Sequence, residues 1–267
     1  MKYVTLTCCK TSYVYLFFLC FISQWATAQQ GPPGFTIAQY GERIPGTSIH
    51  LSFDAANRMY ACEKVGRVWV TINGIQGMNA LIDIQEEVDN YSDRGLMSLA
   101  VDPNFARNGY LYLSYVVDRH HLLHYNTPDY NPEQSDVGAT ILRVTRYTVS
   151  PESLTATNPN SMSILPGSRL ILLGEAVGTS EALLDGSHSG GDLAFGADGT
   201  LLVSTGDGAG LNGRDVGGAG DPGYGSPFWE QALADGIISF RENIGAYRSQ
   251  YLDSFNGKIL RLDPATG

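Results

Sequence analysis

Leu99-Ala-Val-Asp-Pro-Asn-Phe-Ala-Arg-Asn-Gly-Tyr-Leu-Tyr-Leu-Ser114 reads as two short strands joined by a turn. Its arms alternate, and Asp, Pro, Asn and Gly fill its middle, which is hairpin chemistry. The same reading recurs in Leu51-Ser-Phe-Asp-Ala-Ala-Asn-Arg-Met-Tyr60 and in Leu193-Ala-Phe-Gly-Ala-Asp-Gly-Thr-Leu-Leu-Val-Ser204. A further strand follows each hairpin: Gly66-Arg-Val-Trp-Val70, Thr140-Ile-Leu-Arg-Val144 and Gly257-Lys-Ile-Leu-Arg-Leu262. Units of three antiparallel strands cannot bury both faces alone, and stacking such sheets around an axis solves the problem. The expected fold class is therefore all-β, a β-propeller. Such rings close with about four to eight blades. Three units predict about three blades here and a propeller truncated at the C-terminus.

Composition agrees. Only 16% of the 267 residues are charged, while Gly numbers 31 and Tyr 15, a mixture that suits short strands and tight turns rather than a helical bundle. The net charge of −10 supplies no basic stripe, so a nucleic-acid partner is excluded as an expectation.

Residues 1–28 read as a secretory signal. Lys2 and Lys10 flank a weakly basic start, Tyr13–Ile22 is apolar, and Ala26-Thr27-Ala28 offers a cleavage site before Gln29. The apolar run is short for a bilayer core of about 30 Å. An uncleaved membrane anchor is the alternative, and no later segment is apolar enough to span. The expected location is extracellular, or periplasmic in a bacterium. Residues 29–267 form the expected propeller part. Cys8, Cys9 and Cys20 fall in the signal, which leaves Cys62 either buried or lacking its partner. Asn90-Tyr91-Ser92 is a glycosylation sequon.

Between the hairpins lie insertions. Residues 118–138 read as a polar surface loop, residues 208–225 as an irregular Gly-rich stretch, and residues 228–255 as a segment able to hold short helices.

The densest chemical cluster is Asp185-Gly-Ser-His-Ser-Gly-Gly-Asp192, followed one hairpin later by Ser204-Thr-Gly-Asp-Gly208. His188 precedes one strand and Asp207 follows its antiparallel neighbour, so both belong at the same end of the sheet. A carboxylate bonded to one imidazole nitrogen fixes the tautomer and leaves the other basic. Spacing alone fits a structural histidine as well as a catalytic one. His120, His121 and His124 lack the Glu of a metalloprotease motif and read as structural or solvent-exposed. Gly206-Asp-Gly-Ala-Gly210 lacks the spacing of a dinucleotide loop and reads as a turn.

Three stretches carry a resemblance: Arg94 to Tyr115, His188 to Gly208, and Gly257 to Asp263. In order and together they resemble the glucose/sorbosone dehydrogenase family. The resemblance implies a six-bladed propeller with pyrroloquinoline quinone in its central mouth, a sugar substrate and a separate electron acceptor. It implies that His188 is a general base on the sugar C1 hydroxyl and that Asp207 lies beside it. Asp93 falls where bacterial members place a substrate-side glutamine, and Asp192 where they carry a basic residue. The family's main cationic contacts to the quinone come from later blades, so cofactor-binding residues are expected beyond Gly267. Calcium is also implied, and Asp185, Asp192, Asp207, Asp215 and Asp221 are rich in the oxygen ligands it takes, although EF-hand spacing is absent. No other metal site is expected. A rival resemblance is to hedgehog-interacting proteins, binding propellers with protein partners. A lactone-hydrolysing propeller with a channel metal is a third reading.

Overall fold

A computed structural model describes residues 31–218 and 225–267. The signal reading over residues 1–28, its cysteines and Asp221 lie outside these residues. The chain divides into two compact units, Met1–Tyr40 and Gly41–Gly267. In the first, the described residues hold one turn, closed by Phe35 N–H donating to Pro32 O at 2.9 Å.

The described residues of the second unit form three antiparallel sheets. The first pairs β1 (Ser48–Phe53), β2 (Met59–Glu63) and β3 (Arg67–Ile72), with β4 (Ile75–Gln76) and β5 (Ile82–Asp83) both on β3. The middle sheet pairs β6 (Leu96–Val101), β7 (Tyr110–Val116) and β8 (Thr140–Thr148), with β9 (Leu170–Leu173) and β10 (Ala182–Leu183) on β8. The third pairs β11 (Leu193–Phe195), β12 (Leu201–Ser204) and β13 (Ile259–Leu262). Each hairpin read from the sequence is present, and so is each following strand.

The first two hairpins turn on the same device. Asp54 accepts from the amides of Ala56 and Arg58, and Tyr60 Oη reaches its other oxygen at 3.0 Å. Asp102 accepts from Asn104 N, and Tyr112 Oη donates to it at 2.9 Å. In both, a short carboxylate closes the turn and a tyrosine from the next strand satisfies its remaining lone pairs.

Side-chain alternation explains how the sheets stack. On β7, Leu111, Leu113 and Tyr115 join a core shared with Tyr60, Val68 and Val70 of the first sheet. Tyr112 and Val116 point the other way, into a core shared with Leu193, Leu201 and Val203 of the third. The middle sheet is thus buried on both faces, as a period of two requires when both sides carry apolar residues. A large apolar side chain fully removed from water contributes about 1.5–3 kcal/mol. By contrast, Ile49, Leu51 and Phe53 on β1 and Ile259 on β13 are exposed.

Residues 118–138, read as loop, contain a short helix, Arg119–His124. Asp118 caps it by accepting from His120 N and His121 N. His120 and His121 are buried and stack with Tyr125 and Tyr130, which the polar local sequence did not disclose. Burial, above all, lowers His121 to about 4, so it stays neutral. Residues 228–255 hold the helix Trp229–Ala234 and two 3-10 turns, Phe240–Glu242 and Gly245–Gln250.

Candidate functional site

The loop 185–192 is anchored from the middle sheet. Arg94, just before β6, is completely buried. It donates to Asp89 Oδ2 at 2.7 Å, to Gly138 O at 2.7 Å and to Asp185 O at 2.7 and 3.1 Å. A buried guanidinium is tolerated because all these acceptors converge on it. Asp93 N–H donates to Gly186 O at 2.9 Å, so the two loops also pair by backbone.

His188 Nδ1 lies 3.0 Å from Asp207 Oδ1. A carboxylate only accepts, so Nδ1 carries the hydrogen and Nε2 presents its lone pair. The His188 side chain is 43% exposed and that of Asp207 29%, which leaves the pair open to a ligand. His188 holds φ at +57°, a left-handed backbone that non-glycine residues seldom adopt. Such strain persists where surrounding structure enforces it, and it clusters at functional sites.

That enforcement is visible beneath the pair. The His188 and Asp207 loops approach so closely that a Cβ on Gly206 would sit 1.9 Å from His188 O. A Cβ on Gly190 would lie 2.4 Å from Gly206 N. Arg248, fully buried in the turn Gly245–Gln250, donates to Asp207 O at 3.3 Å and Gly208 O at 3.1 Å. Asn256 donates to Asp207 O at 3.0 Å while bonding both backbone groups of Ala182. Glu181 is completely buried, and both its oxygens face Gly190 N–H, at 3.1 and 3.3 Å. Sequence reasoning passed over Arg94, Glu181, Arg248 and Asn256. The available signal was a lone charge in an apolar run, as in Ser180-Glu-Ala-Leu-Leu184.

Asp192 sits where the first strands of the three sheets meet. It accepts from Ser98 Oγ at 2.9 Å, and His50 Nδ1 lies 3.9 Å from its carboxylate. Asp93 and Asn90 are exposed, and the Asn90 carbonyl accepts from Lys64 Nζ at 2.6 Å. The described aspartates of the dense stretch have separate partners. Asp185 serves Ser187, and Asp215 is buried on Gly210 N and Ser226 Oγ. Among the described residues, no three or more His, Cys, Asp or Glu side chains group to hold a metal. No helix among those residues is long and apolar enough to cross a membrane.

Comparison with known proteins places this geometry in a family. Residues 46–216 match the family model described as Glucose / Sorbosone dehydrogenase. Hedgehog-interacting protein of Mus musculus is 33% identical over 175 residues, covering 63% of this chain and 21% of that protein. HIPL2 protein of Arabidopsis thaliana is 28% identical over 198 residues, covering 62% and 27%. The chain therefore spans about a fifth to a quarter of these curated relatives' length. The structure of the PQQ-bound form of aldose sugar dehydrogenase from Streptomyces coelicolor aligns with a TM-score of 0.50 and 14% identity. That alignment covers 86% of this chain and 48% of that one, and it shows a shared propeller-type fold. With the matched residues spanning all three first strands and the His188–Asp207 crossing, the chain belongs to the glucose/sorbosone dehydrogenase family.

Proposed function

We propose that the chain carries the proton-accepting site of a secreted sugar dehydrogenase, with His188 as general base and Asp207 as its partner. The carrying observation is the 3.0 Å contact from His188 Nδ1 to Asp207 Oδ1, held by a left-handed residue in a Gly-rich crossing. Asp207 keeps the hydrogen on Nδ1. His188 Nε2 then takes the proton of a sugar hydroxyl, which prepares its carbon to release a hydride. Asp93, on the loop paired to the base-bearing loop, is the substrate-side residue of this reading.

The family implies pyrroloquinoline quinone as the hydride acceptor, a group whose carboxylates need cationic donors. The cations tied to the dyad's loops do not fit it. Arg94 is buried on Asp89 and backbone carbonyls, Arg248 is buried on carbonyls alone, and Lys258 Nζ donates to Ser249 O and Asn256 O. Asp192 places an exposed carboxylate where a basic residue is implied. What this chain's own residues supply is removal of the hydroxyl proton.

That mismatch favours a second reading, a secreted binding propeller with a protein partner. Its support is the acidic Asp192 mouth together with the similarity to hedgehog-interacting protein.

One assay separates the two. The full protein is incubated with pyrroloquinoline quinone and calcium, and dye reduction is followed across a panel of aldoses. The enzyme reading expects turnover that His188→Ala lowers about 10²–10⁴-fold, the usual contribution of a positioned base. Asp207→Asn should be milder. If wild type binds no quinone and reduces no dye, the binding reading stands instead. Secretion is tested by N-terminal sequencing of exported material, expected to begin at Gln29.

A further inference from the structure

Glu181 stands one residue before β10 with a carboxyl that no solvent reaches. Its oxygens lie 3.1 and 3.3 Å from the Gly190 amide, and the Gly206 amide donates to it as well. Gly190 is two residues after His188, and Gly206 immediately precedes Asp207. One carboxyl therefore grips both loops of the crossing at once. The fit is tight, because neither glycine has room for a Cβ against the other loop.

Resting on the reading of His188 and Asp207 as a site, we propose that Glu181 is its positioning residue. Gain or loss of the Glu181 proton resets how firmly the His188 loop is held against Asp207.

The surroundings supply the means. Two charged groups face Glu181: Asp207, from the loop after β12, and Arg248, from the turn Gly245–Gln250. Behind Arg248 stand Asp215 and Glu242. Arg248 gives its N–H groups to carbonyls, so no ion pair neutralises Glu181 directly. Burial, foremost, raises Glu181 to about 8; Asp207 adds to the rise, while the two amides and Arg248 oppose it. At neutral pH the carboxyl thus keeps its proton, and its protonated oxygen is a weak acceptor for the amides. Just above neutrality it becomes a carboxylate, a stronger acceptor for both amides. The grip on the two loops that carry His188 and Asp207 then changes at one pH.

The test uses the full chain labelled with ¹³C at histidine Cε1 and at the glutamate carboxyl, titrated from pH 5 to 10 by NMR. The expected result is a second inflection of the His188 signal near pH 8, sharing its midpoint with the Glu181 carboxyl. Glu181→Gln, which keeps one acceptor oxygen and does not titrate, should abolish that inflection and flatten the matching step in the kcat profile without moving KM. Should the variant fail to fold, the shared midpoint in wild type decides alone. A Glu181 carboxyl that titrates near 4.5, or a His188 inflection surviving in Glu181→Gln, overturns the proposal. Because the titration needs neither sugar nor quinone, a biphasic His188 in a protein that reduces no dye upholds the positioning role and removes the dehydrogenase reading.

Discussion

Replacing Glu181 with Gln should change how stability depends on pH, and by a large amount. In the unfolded chain this carboxyl ionises near its ordinary value of 4.5, whereas in the fold it is raised to about 8. Between those values the folded state holds a proton that the unfolded state has released. Stability from this group is therefore fully present below pH 4.5 and is lost as pH rises through 8. Each unit is worth about 1.4 kcal/mol, so three and a half units give an upper bound on the order of 5 kcal/mol. Glutamine is nearly isosteric and does not titrate. All other titrating groups are common to both proteins and cancel in the difference. Relative to wild type, Glu181→Gln should gain roughly 3–5 kcal/mol on going from pH 4.5 to 8.5. Urea unfolding at several pH values, extrapolated linearly to water, measures this directly. Parallel stability curves, within about 1 kcal/mol of one another across the range, would refute the reasoning.

Arg94→Ala should cost about 3–5 kcal/mol, because it leaves the Asp89 carboxylate and the Gly138 and Asp185 carbonyls buried without their donor; urea unfolding at neutral pH checks it. Gly206→Ala should push the Asp207 loop off His188, whose carbonyl would lie 1.9 Å from the new Cβ. A His188 NMR signal unchanged from wild type would contradict that. Cys62 is fully buried on β2, and burial pushes its thiol well above the ordinary range. It should ignore a thiol reagent in the native protein and react at full stoichiometry in denaturant, read by mass spectrometry.

The hairpins were legible because their signals are local. Leu99 to Ser114 carries its own alternation and turn residues, and β6 pairs with β7 in the register those residues dictate. The meeting of His188 and Asp207 was legible for a related reason. Leu193 pairs with Val203, so the residues flanking β11 and β12 converge at one end. The rest depended on distant partners. Glu181 precedes a two-residue strand whose register is set by Ile141 and Thr140, some forty residues earlier. So short a segment has no periodicity to read. Arg248 lies in a 3-10 turn, and nothing around it marks it as buried. The helix Arg119–His124 spans under two turns and is held by a cap and aromatic stacking rather than by an apolar stripe. The partners of the dense aspartates were not legible either, since Asp185 and Asp215 each bond amides and hydroxyls of their own loops.

The two-sided burial of the middle sheet bears on how the molecule opens. Amides of β7 and β8 should exchange with solvent water only through global unfolding, since cores on both faces must part first. The third sheet shares one core with its neighbour, while Ala194, Ile259 and Arg261 are exposed. It can detach as a cooperative unit at lower free energy, carrying Asp207 with it and leaving Arg94 in place. Hydrogen exchange would then be faster in β11–β13 than in β7 and β8. A ligand seated on the dyad would register first as slowed exchange there, because occupancy penalises the opened form by its full binding free energy.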